Sequence, residues 1–129
     1  MHLNRDNLGF QLTSIMVSNV YNELIDRIKE ITMKLGIIIE TNEPEKSWNA
    51  LRFANTALKA GHPVKVFLMS AGVEVESITH EKYNAKAQLD TFASAGGEIL
   101  ACGTCIKTRG MEDSDVCPIS TMVDCLEMV

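Results

Sequence analysis

Three short apolar runs, each set apart from the next by a stretch of helical length, restrict what this chain can fold into more than any other feature. They are Met33–Glu40, Val64–Ser70 and Glu98–Ala101. Runs this short and this rich in Ile, Val and Leu suit strands buried on both faces. Each connection exceeds the dozen or so residues that a parallel crossover needs. Strand, helix, strand, helix, strand then implies a parallel sheet built by right-handed crossovers.

The connections carry their own signals. Thr41 or Asn42 is placed to cap a first helix, and Pro44 suits its first turn. Trp48, Leu51, Ala54, Asn55 and Leu58 recur at three- and four-residue spacing and make one stripe. Gly61 stops that helix and His62-Pro63 prevents its continuation. Ala71–Glu76 reads as a loop. A second helix is expected from about Thr79 to Ala95, with Tyr83, Ala87 and Phe92 among its apolar positions and Gly96-Gly97 as its stop. Beyond the third strand, Lys107–Asp115 reads as a turn or short helix with a polar loop. Val116–Ile119 reads as a fourth strand, which Pro118 confines to an edge or a short piece. Ser120 or Thr121 can cap a last helix through Met122, Val123, Leu126 and Val129, with Cys125 as a core position. The expected fold class is α/β, a three-layer sandwich with a mainly parallel open sheet.

Residues 1–32 read as an added N-terminal helical extension and 33–129 as the α/β domain. Val17, Leu24, Ile25, Ile28 and Ile31 fall near one face of a helix from roughly Ser14 to Thr32. Such a stripe must be buried against the domain or a neighbouring subunit. The chain of 129 residues suits one principal core. Its formal net charge of −5 argues against a nucleic-acid partner, which needs a basic footprint. No apolar run approaches the roughly 18 residues of a membrane span. The polar, mixed N-terminus lacks the layout of a secretory signal, so a cytoplasmic location with reduced thiols is expected.

In an open parallel sheet, ligands bind beyond the carboxyl ends of the strands. Three loops meet there: Glu40–Glu43, Ser70–Gly72 and Cys102–Cys105. They nominate Asn42, Ser70, Gly72 and Gly103 as binding positions, the two glycines because backbone can approach a ligand closely at them. Cys102-Gly103-Thr104-Cys105 brings two thiols to that edge, with Lys107 and Arg109 close behind. A thiol attacks only as its thiolate, which cations and backbone N–H groups favour. Sulfur carrier, dithiol redox couple and metal ligand are the three chemistries this allows. All four cysteines lie in the last 28 residues, a clustering unlike a structural disulfide framework. Zinc is disfavoured because a second ligand pair is missing, Cys117 and Cys125 being eight apart. No GxGxxG follows the first strand, so no dinucleotide cofactor is expected.

Gly61-His62-Pro63-Val64-Lys65-Val66-Phe67, followed by Cys102-Gly103-Thr104-Cys105-Ile106-Lys107-Thr108-Arg109-Gly110, resembles the DsrE/DsrF-like (TusD-related) sulfur-relay family from Met33 to Val129. Carriers of that family place a persulfide cysteine seven residues before the Arg of an Arg-Gly pair, the position Cys102 holds. The resemblance implies a persulfide carrier that works with sulfur donor and acceptor proteins as a homo-oligomer, a trimer or hexamer. Cys102 is then the catalytic thiol, and Lys107 and Arg109 serve the anionic sulfur site or a partner. Cys105 either resolves the persulfide, forms a redox couple with Cys102, or only packs. A dithiol oxidoreductase and a non-catalytic assembly module are the alternative functions. The N-terminal helix and a chain that stops near the last helix depart from the family pattern.

Overall fold

The computed structural model describes residues 17–27 and 32–128. The chain divides into two compact units, 1–33 and 34–129. In the first, residues 17–27 are helical, with Val17, Val20, Tyr21 and Leu24 exposed along one side. Positions 14–16, Ile28 and Ile31 of the expected helix lie outside the described residues, and Thr32 is not helical.

The second unit is α/β. Its strands are β1 (Leu35–Ile39), β2 (Val64–Leu68), β3 (Glu98–Cys102) and β4 (Ile119–Ser120). Its helices are α1 (Pro44–Lys59), α2 (Ala85–Ser94), α3 (Gly103–Thr108) and α4 (Met122–Met128). The strands pair in the order β1-β2-β3-β4, all parallel. Side-chain alternation along each strand divides the core in two. Ile39, Val64, Val66, Leu68, Ile99 and Ala101 face Leu51 and Ala54 of α1 and Leu89 and Phe92 of α2. Phe67 and Cys102, with Leu100 beside them, point the other way and meet Cys125 and Met128 of α4. Helices therefore cover both faces of the sheet. The second face is covered less, and Ile38 on it is 46% exposed.

The strands fall where the apolar runs placed them, and four boundaries differ for local reasons. Glu43, not Thr41 or Asn42, caps α1: its carboxylate accepts the N–H groups of Glu45 and Lys46. Thr41 instead accepts from Glu43 N–H, one step earlier. The expected loop after β2 is a 3-10 segment, Ser70–Ser77. α2 begins at Ala85 rather than Thr79, because His80 Nδ1 accepts the N–H groups of Lys82 and Tyr83 and closes a turn there. Asn84 then caps the helix through Ala87 N–H. β4 is Ile119–Ser120 instead of Val116–Ile119. Pro118 has no N–H to give, but its carbonyl accepts from Ala101 at 3.0 Å and starts the pairing. Val123 and Leu126 of α4 are exposed rather than core, while Cys125 is buried. The helix is too short to turn all its apolar residues inward.

Across the outer layer, Asn55 Nδ2 donates to the Gln88 carbonyl at 3.0 Å and to Gln88 Oε1 at 2.9 Å, tying α1 to α2. Among the described residues no helix is long and apolar enough to cross a membrane.

Candidate functional site

β3 ends at Cys102, and α3 starts at the next residue. Cys102 therefore occupies the N-cap position, with extended backbone (φ −62, ψ 117), and its side chain makes no capping hydrogen bond. Burial pushes the Cys102 thiol up; the neighbouring N–H groups of Cys105 and Thr104 and the Cys105 thiol outweigh it and hold the thiol below its ordinary range. All four cysteines are free thiols.

Cys102, Gly103, Thr104, Cys105 and Lys107 line one side of a cavity of about 480 Å³. Ile119 and Ser120 of β4, Thr121, and Met122 of α4 line the other. Cys102 is 4% exposed, so this opening is its route to a reactant. Gly103 lies close against β4: a Cβ there would lie 2.9 Å from Ile119 Cγ2 and 3.3 Å from the Ser120 carbonyl.

Ser70 and Gly72 act on the same place from the neighbouring strand. Ser70 N–H donates to Cys105 Sγ at 3.1 Å. Its φ is 51, a left-handed conformation that costs a non-glycine residue about 1–3 kcal/mol. Gly72 packs against β1, where a Cβ would sit 1.9 Å from the Ile39 carbonyl oxygen. The glycine thus permits close contact with the backbone of β1.

Arg109 and Asn42 stand one step back. Arg109 Nε donates to Glu74 Oε2 at 3.0 Å, and its other arm to the Cys105 carbonyl at 3.3 Å. Asn42 Nδ2 reaches the same Glu74 oxygen at 3.5 Å. The Arg109 charge is therefore paired, while Lys107 is the cation that lines the cavity. Glu74 was not singled out in the sequence. Its position, 35 residues before its Arg109 partner, gave no local signal.

Ser120, Thr121 and Met122 were also missed as cavity residues, and the signal for two of them was a capping box. Thr121 Oγ1 accepts from Asp124 N–H at 3.3 Å, and the Asp124 carboxylate accepts back from Thr121 N–H at 3.0 Å. The Ser120 hydroxyl, at 2.6 Å, is the first cause of a lowered Asp124 pKa, followed by the N–H and hydroxyl of Thr121. That stabilisation is present above the ordinary carboxylate range and is lost as pH falls through the lowered value. Thr121→Ala removes the cap of α4, and about 1 kcal/mol of stability is expected to go with it in urea unfolding.

Cys117 has a different environment. Burial, and then the Glu76 carboxylate, push its thiol up to about 12. Ser114 bridges to it, its hydroxyl donating to Glu76 at 2.8 Å and accepting from Cys117 N–H at 3.0 Å. Among the described residues no three His, Cys, Asp or Glu side chains converge to hold a metal ion.

The chain is similar to two archaeal proteins in sequence and to one solved structure in fold. The chain is 36% identical over 106 residues to the uncharacterized protein MJ0989 of Methanocaldococcus jannaschii, covering 75% of this chain and 92% of that one. It is 39% identical over 74 residues to the uncharacterized protein MK0008 of Methanopyrus kandleri, covering 55% and 61%. The crystal structure of the ychN protein from E. coli superimposes with a TM-score of 0.62 at 22% identity, over 73% of this chain and 87% of that one. The sequence model of the DsrE/DsrF-like family matches residues 33–129, and the chain belongs to that family.

Proposed function

We propose that this protein is a sulfur-relay carrier that holds sulfane sulfur as a persulfide on Cys102. The observation that carries the reading is Cys102 itself, set at the carboxyl end of a central strand and the start of a helix, and opening on a cavity. The Cys102 thiolate attacks the outer sulfur of a donor persulfide, and the donor leaves as its thiolate. Cys102–S–SH forms. An acceptor thiolate then takes the outer sulfur, and the Cys102 thiolate leaves. A lowered thiol pKa favours both its attack at neutral pH and its departure. Lys107 balances anionic charge in the cavity, and Arg109 with Glu74 fixes the helix that carries Cys105.

Family membership supports donor and acceptor proteins as the partners, in the cytoplasm. The exposed apolar residues Ile119, Met122, Val123 and Leu126 beside the cavity support a homo-oligomer, a trimer or hexamer. The two thiols lining one cavity also favour a second reading, a dithiol couple.

Intact-protein mass spectrometry after exposure to a persulfide donor tests the carrier. A gain of about 32 Da, mapped to Cys102, is expected in a chain whose Cys105 is replaced by serine. Cys102→Ser abolishes it, whereas Cys117→Ser and Cys125→Ser retain it. Reversible loss of two hydrogens in the native chain, with no adduct in any variant, would identify a redox couple instead.

A further inference from the structure

The two thiols share one cavity, but separate parts of the fold serve them. Cys102 stands between β3 and α3, at the N-cap position. Cys105 stands on the first turn of α3, half-buried, touching the packed residues on both faces of the sheet. Its sulfur receives the Ser70 N–H at 3.1 Å from across the carboxyl edge.

That donor is a built feature. Ser70 holds a left-handed φ of 51. The turn behind it is fixed by Gly72 N–H to the Met69 carbonyl at 2.9 Å and by Met69 N–H to the Ile39 carbonyl at 3.0 Å. Gly72 lies so close to that same Ile39 carbonyl that no side chain fits. A thiol is a weak acceptor and needs no N–H in order to pack. The Ser70 N–H instead fixes where Cys105 Sγ sits, in the same cavity as the sulfur that carries the cargo.

We infer that Cys105 is the resolving thiol, and that without an acceptor the protein releases the carried sulfur as hydrosulfide. The inference rests on the carrier reading of Cys102. In the step, the Cys105 thiolate attacks Sγ of Cys102–S–SH. The Cys102–Cys105 disulfide forms, the bond to the outer sulfur breaks, and HS⁻ leaves with the electron pair. The Cys105 proton passes to water, or to the hydrosulfide as H₂S. The sulfane sulfur is reduced by two electrons and the two cysteine sulfurs are together oxidised by two, so no outside oxidant is needed. A dithiol reductant, by two thiol–disulfide exchanges, restores both thiols.

The backbone permits the bond. Cβ atoms three residues apart on a helix are about 5–6 Å apart. A disulfide needs about 3.5–4.5 Å. The closing shift of about 1–2 Å falls at the junction of β3 and α3, where Cys102 is not yet helical. The fate of the carried sulfur then depends on competition between an acceptor thiol entering the cavity and Cys105 within it.

The test uses the full reduced chain, loaded with a persulfide donor, freed of the donor and left without acceptor under nitrogen. The native chain is expected to release about one sulfide per chain and to end about 2 Da lighter. Cys105→Ser and Cys105→Ala are expected to keep the adduct of about 32 Da on Cys102 and to release sulfide at least about tenfold more slowly. Adding a dithiol reductant returns the native chain for a second round. A native chain that keeps its adduct as long as both variants do would overturn the inference while leaving the carrier intact. Variants that still alkylate at Cys102 but gain no sulfur would overturn the carrier reading, and this inference with it.

Discussion

Replacing Gly72 with alanine is expected to destabilise the domain by about 3 kcal/mol or more, beyond the usual cost of an overpacked site. The reason is a single distance. The added Cβ would stand 1.9 Å from the Ile39 carbonyl oxygen and 2.7 Å from its carbon. Both atoms are backbone of β1, and that oxygen already accepts the Met69 N–H. Relief therefore requires the strand end or the 3-10 segment to move as a whole. Gly103→Ala is the control. Its nearest obstacle is a side-chain methyl of Ile119 at 2.9 Å, on an exposed residue of an edge strand, which can turn aside. A cost of about 1 kcal/mol is expected there. Urea unfolding of both variants measures the contrast. Equal midpoints for the two would show that the segment after β2 is not held against β1 as described. Because Ser70 lies in that segment, Gly72→Ala should also disturb Cys105, the thiol that Ser70 N–H meets.

At pH 8 a small alkylating reagent is expected to modify Cys102 more than about 10³-fold faster than Cys117. Surface exposure does not separate them, since each is 4% exposed. What surrounds each sulfur does. Cys102 is surrounded by donors and lies below the ordinary thiol range. A thiol in its ordinary range is already partly thiolate at pH 8, and the lowered Cys102 is more so. Cys117, buried and facing Glu76, is pushed up to about 12 and is about 10⁻⁴ thiolate at the same pH. The cavity beside Cys102 gives a reagent access to it. Rate against pH should show a midpoint for Cys102 below that of a free thiol, moving upward in Cys105→Ala as one donor is lost. A Cys102 midpoint above the free-thiol value would refute the donor arrangement. The sign for stability is opposite at the two sites. The lowered Cys102 pKa stabilises the fold above the free-thiol range and is lost as pH falls through the lowered value. The raised Cys117 pKa favours the fold below the free-thiol range and costs stability as pH rises from there toward about 12.

Much of this was legible in the chain. Short apolar strands and one-face helix patterns are set by local spacing, so β1, β2, β3 and α1 stand where Ile37–Ile39, Val64–Leu68, Ile99–Ala101 and the Leu51–Ala54 stripe put them. Cys102 at a strand end, and Cys105 one turn on, follow from the same reading. Boundaries resting on one side chain's choice of partner were not fixed locally. Thr41, Asn42 and Glu43 can each cap a helix, and the direction of the Glu43 carboxylate decided among them. His80 closing a turn was invisible for the same reason.

Local spacing along the chain set a parallel α/β domain with two thiols at the carboxyl edge of its sheet, because periodicity and strand–helix alternation are properties of neighbours along the chain. Only the tertiary structure separated the groups gathered at that edge. It paired Arg109 with Glu74, gave Cys105 an N–H from Ser70, pressed Gly72 onto Ile39, and brought Ser120–Met122 across to wall the cavity. Each of these contacts joins residues far apart in the chain, and hydrogen bonds and close packing depend on distance in space, which no local pattern encodes.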